Sequence, residues 1–507
     1  MSKNKTSVTG RFIRIIETGG NALPHPAILF ALFALITLIV SAIGGILGWN
    51  GIHPGTGESV DVINLLSKEG IHRIILNMVG SYTSFAPLGI VMVALLGIGV
   101  AESSGLISTA VKALLVKAPP KSVTFMVVFT GILSNVASDI GYILIIPLAG
   151  VIFHSLGRHP VAGMAAAFAG VSGGFSANLL IGTIDPLLAG LSTEAAQILD
   201  PDYVVMPTAN YYFMVVSTFL IAALGTLVND KIVEPRLGKY TGDVKPEEIT
   251  KLSSLERKGL RNTGFVLLFW IALILISVVP ENGFLRGADN SILQSPLLRG
   301  FISFLFLISA SLGIVYGFTV GTFKKSSDVI NGMNDSFKTL ASFLVLVFFA
   351  AQFVAWFQWS NLGVLLAITG AEFLQNLNIG LIPLVLMFII FSAFINLFMG
   401  SASAKWAIMA PIFIPIFMLL GYSPELSQVV YRIGDSITNV MTPMMSYFAL
   451  IIVYFQKYQK GAGFGTIIGN MMPYSFTFFI GWTLLLIVWI LLGLPLGPES
   501  PQYYNVG

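Results

Sequence analysis

The sequence has little charge and no cysteine. Only 10% of its 507 residues are Asp, Glu, Lys or Arg, and none is Cys. Because soluble proteins carry roughly 25% charged residues, this composition excludes a secreted, nucleic-acid-binding or multi-domain cytosolic protein. The absence of cysteine excludes disulfides, thiolate metal sites and cysteine nucleophiles. No nucleic-acid partner is expected.

Apolar residues are abundant instead, at 55% of the chain. They form runs long enough to span a bilayer, which predicts an all-α polytopic membrane protein surrounded by lipid. No short apolar core with a cleavage site follows the N-terminal segment, so the first span is expected to be retained. Nine crossings are predicted, at residues 27–49, 75–101, 161–190, 211–228, 263–280, 298–320, 340–358, 425–455 and 464–494.

Two other apolar stretches, 124–156 and 380–420, are too long for one crossing and are interrupted by Gly, Ser, Asn and Pro. We interpret each as a re-entrant hairpin that enters and leaves on the same side. With a cytoplasmic N-terminus, 21 of the 27 basic residues then lie inside, as the positive-inside rule requires. The C-terminus is predicted to be periplasmic.

An internal repeat relates the two parts of the chain. A shift of 264 positions gives eight identities, namely Pro147/Pro411, Ile152/Ile416, Phe153/Phe417, Leu156/Leu420, Gly157/Gly421, Pro160/Pro424, Gly170/Gly434 and Ser172/Ser436. The charge distribution gives the copies opposite orientations, and an inverted repeat with interrupted helices is typical of secondary transporters. The predicted divisions are residues 1–26 (cytoplasmic), 27–228 (first repeat), 229–262 (cytoplasmic loop), 263–496 (second repeat) and 497–507 (tail).

Four polar segments interrupt the apolar stretches, at residues 134–139, 172–186, 396–406 and 432–443. Unpaired backbone groups are so costly in hydrocarbon that such breaks are tolerated only around a polar cavity. The breaks therefore predict a substrate site where the repeats meet. The alternative is that small residues merely allow tight helix packing.

Charged residues inside the membrane are functional candidates by default. Arg432 and Asp435 lie three residues apart, so they could form a purely structural pair. Alternatively, Arg432 binds a substrate carboxylate, while Asp435 holds it in place or exchanges a proton or cation. Asp185 has no basic neighbour in sequence and is the preferred coupling residue. Lys405 could snorkel or pair with an acid.

Oxygen-bearing side chains near the breaks could bind Na⁺, although they could equally satisfy broken helix ends. They are Asn135, Ser138, Asp139 and Asn178, with Asn396, Ser401 and Ser403 as counterparts in the second repeat. Na⁺ is the only cofactor that these residues suggest. Trp406 is the last residue of the third break, where it could pack in the core or stack on an aromatic substrate.

Several motifs resemble the p-aminobenzoyl-glutamate transporter family, AbgT, over about residues 15–496. They are NALPHP (21–26), FAPLG (85–89), GRHPVAG (157–163), DKIVEPRLG (230–238), WSNLG (359–363), APIFIPIFMLLG (410–421) and YRIGDS (431–436). The resemblance implies a homodimeric inner-membrane transporter with nine spans and two opposed re-entrant hairpins. It also implies p-aminobenzoyl-glutamate and p-aminobenzoate as substrates, and sulfonamide export by some members.

Carried over by position, the resemblance implies a set of transport-site residues, with Asn396 near a Na⁺ site. The set is Asp185, Ser403, Trp406, Pro424, Arg432, Asp435 and Pro443. Lys405 departs from the apolar residue expected beside Trp406.

The predicted function is cation-coupled transport of p-aminobenzoyl-glutamate and related aromatic carboxylates, driven by H⁺ or Na⁺. One alternative is H⁺-driven export of sulfonamides and p-aminobenzoate. More remote alternatives are an intramembrane enzyme using Asp139 and Asp185, and a channel, for which no filter repeat is present.

Overall fold

The computed structural model describes residues 24–52, 57–116, 119–136, 141–246, 251–287, 290–291 and 295–505. Helices in the first part of this chain are α1 Pro26–Leu47, α2 Lys68–Thr83, α3 Ala86–Ser103, α4 Leu106–Val116, α5 Val123–Leu133, α6 Ile146–Ser155, α7 Pro160–Phe168, α8 Ile184–Ala196, α9 Tyr211–Val228 and α10 Glu234–Leu237. Those in the second part are α11 Ser254–Val278, α12 Pro296–Arg299, α13 Phe301–Val320, α14 Ser326–Trp359, α15 Leu362–Asn376, α16 Leu381–Asn396, α17 Ala402–Leu419, α18 Pro424–Asn439, α19 Phe448–Tyr458 and α20 Phe464–Leu491.

Shorter elements complete the secondary structure. Strands β1 Asn50–Ile52 and β2 Ser59–Asp61 form an antiparallel pair after α1. The 3₁₀ turns are Pro120–Ser122 and Ser134–Val136, and the π turns are Gly141–Ile145, Ala169–Gly173 and Asn229–Val233.

The predicted all-α polytopic membrane fold is confirmed. Within the described residues, eight helices are long and apolar enough to cross a bilayer, or nine if one bent pair counts as a span. Seven of them coincide with predicted crossings, and the eighth is α17, inside the stretch 380–420. Large apolar side chains such as Leu35, Phe265 and Phe269 stay exposed on α1 and α11, as expected of faces in contact with lipid.

Three predicted crossings, 75–101, 161–190 and 425–455, are not single helices. The first is divided into α2 and α3, which together still form one apolar span, the second into α7 and α8, and the third into α18 and α19. The stretches 124–156 and 380–420 are likewise divided, into α5 and α6 and into α16 and α17. Gly, Ser and Pro cluster at these points, and they disfavour continuous helix. Re-entry from opposite sides of the membrane stays a prediction.

The breaks predicted at 396–406 and 172–186 are observed as non-helical segments 397–401 and 174–183, but the fourth begins later than predicted. Helix α18 runs without interruption to Asn439, so Arg432 and Asp435 lie in regular helix. Thr438 donates its hydroxyl hydrogen to the Gly434 carbonyl, 3.2 Å away, which lets a hydroxyl side chain remain in a buried helix. In the first break, residues 134–136 form a 3₁₀ turn, and 137–140 lie outside the described residues.

Local structure repeats under the same shift of 264 residues. Helices α7 and α18 begin at Pro160 and Pro424, and α8 and α19 begin at Ile184 and Phe448. The turns before α7 and α18 each contain a glycine at positive φ, 73° at Gly157 and 84° at Gly421. The shared turn explains the paired glycines, because few other residues adopt this conformation at a helix end. The opposite orientation of the two copies stays a prediction.

The divided helices form the interior of the molecule. Helix α16 packs on α18, α17 packs on α8, and α5 packs on α7. All residues of α18 are buried. Polar groups on α18 must therefore find partners on neighbouring helices rather than in solvent.

Candidate functional site

Helix α18 carries a polar stripe along one face. The stripe consists of Glu425, Gln428, Arg432, Asp435 and Asn439, none of which is more than 8% exposed. Their spacing of three and four residues places them on one side of the helix. A polar stripe on a buried membrane helix is a candidate functional site.

Arg432, at the middle of the stripe, forms a buried ion pair with Asp185 of α8. The guanidinium Nη2 lies 2.5 Å from Asp185 Oδ1. The other carboxylate oxygen accepts a hydrogen bond from the Gly182 N–H at 2.7 Å. Asp185 also lies in the first turn of α8, where the helix dipole favours negative charge. The carboxylate is thus held by a guanidinium, a backbone amide and a helix end.

Asp435, one turn further along the stripe, pairs with Lys405 of α17. The Lys405 ammonium also donates to the side-chain oxygen of Asn396 at the end of α16. The second carboxylate oxygen of Asp435 accepts a hydrogen bond from Asn439 Nδ2 at 3.2 Å. These groups are at most 8% exposed, and all four belong to the second repeat.

Arg432 and Asp435 therefore do not form the structural pair that their spacing allowed. Each residue pairs with a different neighbouring helix, because α8 and α17 bring Asp185 and Lys405 against successive turns of α18. Asp185, which has no basic neighbour in sequence, finds its partner on α18. Lys405 pairs with an acid and does not snorkel.

The Asn396 carboxamide connects α16 to α18. Its Nδ2, which carries two hydrogens, lies within hydrogen-bond distance of three acceptors, the Asp435 carbonyl at 2.6 Å, Thr438 Oγ1 at 2.9 Å and Asn439 Oδ1 at 2.9 Å. Its oxygen faces Lys405. Every polar atom of this buried side chain is used, which fixes how α16 meets the charged part of the stripe.

Trp406 lies in the core beside the charged pairs. Its ring stacks on Tyr431 with centroids 4.5 Å apart, and its Nε1 donates to Ser192 Oγ at 2.9 Å. The Ser192 hydroxyl donates in turn to Gln428 Oε1 at 2.6 Å. The indole is therefore held from two sides, by a neighbouring ring and by α8.

A chain of polar side chains continues from Gln428 toward the start of α18. Gln428 Nε2 donates to Asn210 Oδ1 at 2.8 Å, and Asn210 Nδ2 donates to the Glu425 carbonyl at 3.0 Å. The Glu425 carboxylate accepts a hydrogen bond from Tyr203 OH at 2.9 Å. These contacts tie the beginning of the stripe to the segment between α8 and α9.

The other predicted site residues lie at helix ends. Pro424 is the first residue of α18. Ser401 caps α17 by accepting from the Ala404 N–H at 3.3 Å, and its hydroxyl lies 3.3 Å from that of Ser403. Pro443 is half-buried in the segment between α18 and α19.

The predicted Na⁺ ligands of the first repeat are only partly brought together. Asn135 and Asn178 both donate to the Ile132 carbonyl oxygen, each at 3.2 Å. Two residues that would complete such a site, Ser138 and Asp139, lie outside the described residues. The observed role of the two amides is to satisfy a backbone group near the end of α5.

The two repeats touch near the breaks. The Ser176 N–H donates to Ser436 Oγ of α18 at 3.2 Å. A cavity of about 440 Å³ reaches the break after α16 and is lined by Pro24, His25, Pro26, Leu29, Phe398, Met399, Gly400, Ser401, Met444 and Ser446. The cavity gives Ser401, at the start of α17, contact with open space.

A match to the AbgT putative transporter family covers residues 11–504. The chain belongs to the AbgT transporter family. The p-aminobenzoyl-glutamate transport protein of Escherichia coli K12 is 37% identical over 494 residues, which are 97% of each chain. AbgT membership identifies the chain as a multi-pass membrane transporter and excludes the enzyme alternative.

Solved AbgT-like structures share the fold. The MtrF protein of Neisseria gonorrhoeae, described as one of a class of antimetabolite efflux pumps, is 50% identical with a TM-score of 0.92, covering 97% of this chain and 100% of that one. The YdaH transporter of Alcanivorax borkumensis is 46% identical with a TM-score of 0.90, covering 94% and 100%.

Several residues of this candidate site were not found from the sequence. They are Ser192, Tyr203, Asn210, Glu425, Gln428, Tyr431, Thr438 and Asn439. For Glu425, Gln428 and Asn439 a signal exists, because they continue the spacing set by Arg432 and Asp435. Ser192 and Asn210 lie singly in other segments, where only tertiary packing brings them to the stripe.

Proposed function

We propose that the chain is a secondary active transporter of p-aminobenzoyl-glutamate and related aromatic carboxylates, coupled to a gradient of H⁺ or Na⁺. The observation that carries the proposal is the buried Arg432–Asp185 pair. A guanidinium offers a fork of donors that fits a carboxylate, and Arg432 Nε has no hydrogen-bond partner within the described residues. A substrate carboxylate would use this donor.

Charge balance supports coupling to a cation. Asp185 and Asp435 together offset Arg432 and Lys405, so these two ion pairs carry no net charge. Adding the carboxylates of an aromatic dianion to a buried neutral site is unfavourable unless positive charge enters too. A proton or Na⁺ on Asp185 would release Arg432 for the substrate. On this basis cation and substrate bind together, as symport requires.

Trp406 supports an aromatic substrate. Its ring already stacks on Tyr431, close to the residues that would hold the carboxylates. The indole is fully buried, so a substrate ring is expected to replace one of its stacking partners when the site admits substrate.

A second candidate is H⁺-driven export of sulfonamides and p-aminobenzoate. The relative described as an antimetabolite efflux pump favours it, since it is 50% identical to this chain. In an exporter of this type proton and substrate would compete. The sign of the coupling between proton and substrate therefore separates the two candidates.

We propose that this transporter resides in a bacterial inner membrane as a homodimer. Its N-terminus would then be cytoplasmic and its C-terminus periplasmic. The distribution of basic residues supports the orientation, and the family resemblance supports the dimer.

The test is counterflow of labelled p-aminobenzoyl-glutamate in proteoliposomes, with pH and Na⁺ gradients imposed separately. Saturable transport that one cation gradient drives uphill, with cation and substrate moving in the same direction, would support symport. Uphill movement of sulfonamides in the direction opposite to proton flow would support the exporter. Flux that follows voltage without saturation would contradict both candidates.

A further inference from the structure

Lys405 is a buried cation surrounded by oxygen ligands. Its side chain is completely inaccessible, although Lys is among the residues most costly to bury. The ammonium contacts the Asp435 carboxylate and the Asn396 side-chain carbonyl, which come from α18 and α16. The charge is thus held by a carboxylate and an amide oxygen from two separate helices.

This ligand set has the chemistry of a site for a hard metal cation. Carboxylate and amide oxygens are preferred by such ions. Helix α16 ends at Asn396, and the carbonyl end of a helix carries partial negative charge. In transporters with broken helices, coupling ions bind at such half-helix C-terminal ends. A mobile cation would be suited to this place if Lys405 did not fill it.

The first copy of the repeat provides a comparison for the Lys405–Asp435 pair. The shift of 264 residues pairs Lys405 with Gly141 and Asp435 with Val171. These positions are also neighbours, because a Cβ on Gly141 would lie 2.6 Å from the Val171 side chain. The same two positions thus meet in both copies, and only the second copy places a cation and an anion there.

We propose that the Lys405 ammonium is a built-in cation, which occupies the oxygen-lined site formed by Asn396, Asp435 and the end of α16 in place of Na⁺. Na⁺ is then excluded from this site, and any mobile coupling cation acts elsewhere, as at Asp185. The inference rests on the proposed function for its role in coupling. Occupancy of the site is nevertheless testable by Na⁺ binding alone, so loss of substrate transport would not affect the result.

The experiment measures thermal unfolding of the purified full chain in lipid nanodiscs, with Na⁺ exchanged for choline at constant ionic strength. Lys405→Ala is expected to gain a saturable rise in Tm that is specific for Na⁺ and exceeds any response of the unchanged chain. Adding Asn396→Leu should remove this gain. The matched control is Lys338→Ala, whose side chain is 77% exposed and pairs with Asp335 near the surface. The control should respond to Na⁺ as the unchanged chain does.

A folded Lys405→Ala protein with an unaltered Na⁺ response would overturn the proposal. If this variant does not fold, Asn396→Leu in the otherwise unchanged chain decides the question. With Lys405 in the site, that substitution should leave the Na⁺ response as it was. Loss of a Na⁺ response on Asn396→Leu alone would mean that Na⁺ already binds there, and the proposal would fail.

Discussion

Arg432 and Asp185 meet across two helices, with the guanidinium Nη2 2.5 Å from the carboxylate Oδ1, and both side chains are almost completely buried. The pair joins the middle of α18 to the first turn of α8. Since α8 belongs to the first repeat and α18 to the second, the contact lies where the two repeats touch. In the proposed mechanism it must open to admit substrate.

Replacing Asp185 by Asn is expected to separate substrate exchange from cation coupling. The amide keeps the shape of the side chain but carries no charge, so Arg432 stays available to a carboxylate. Counterflow of p-aminobenzoyl-glutamate should persist, while uphill uptake driven by a pH or Na⁺ gradient should be lost. Uphill uptake at the unchanged rate would remove Asp185 from the coupling role.

Replacing Arg432 by Ala is expected to abolish transport and destabilise the fold. The loss of one partner leaves the Asp185 charge buried and unpaired, which costs about 3–5 kcal/mol. Thermal unfolding in nanodiscs measures this loss. Combining Arg432→Ala with Asp185→Asn should recover part of the stability without recovering transport. Recovery of transport would show that the guanidinium is structural only.

Substitutions around Trp406 test the role of the ring. Trp406→Phe keeps an aromatic face against Tyr431 and should raise the KM for aromatic substrates less than Trp406→Ala does. Ser192→Ala removes the acceptor of the indole N–H while keeping the ring, and should give an intermediate effect. Equal kinetics for the Phe and Ala variants would assign the ring to packing alone.

The repeated glycine turns should respond alike to substitution. Gly157→Ala and Gly421→Ala each place a side chain at positive φ, which costs roughly 1–2 kcal/mol, although a Cβ would have room at both positions. Gly465→Ala is the matched control, because this glycine lies in helix α20 with open space around it and Ala favours helix by about 1 kcal/mol. Unfolding midpoints that do not separate the two turn variants from the control would contradict this explanation.

The sequence predicted the helical membrane fold and the positions of two of the four breaks, because long apolar runs and clusters of Gly, Ser and Pro are local signals. It also identified Asp185, Arg432 and Asp435 as functional candidates, because charged residues are rare inside a membrane. It could not predict which charges pair, since pairing depends on how α8 and α17 pack against α18. The late end of α18 was missed because Thr438 and Asn439 find hydrogen-bond partners on the neighbouring helix α16, which spacing alone does not reveal.

The central claim is that a cation on Asp185 and a substrate carboxylate on Arg432 bind together. The most direct test is the equilibrium affinity for labelled p-aminobenzoyl-glutamate, measured on the purified protein at several pH values and Na⁺ concentrations. The account predicts that added H⁺ or Na⁺ strengthens binding to the unchanged chain and has no such effect on Asp185→Asn. Binding that weakens as the cation concentration rises, or that depends on the cation equally in both proteins, would contradict it.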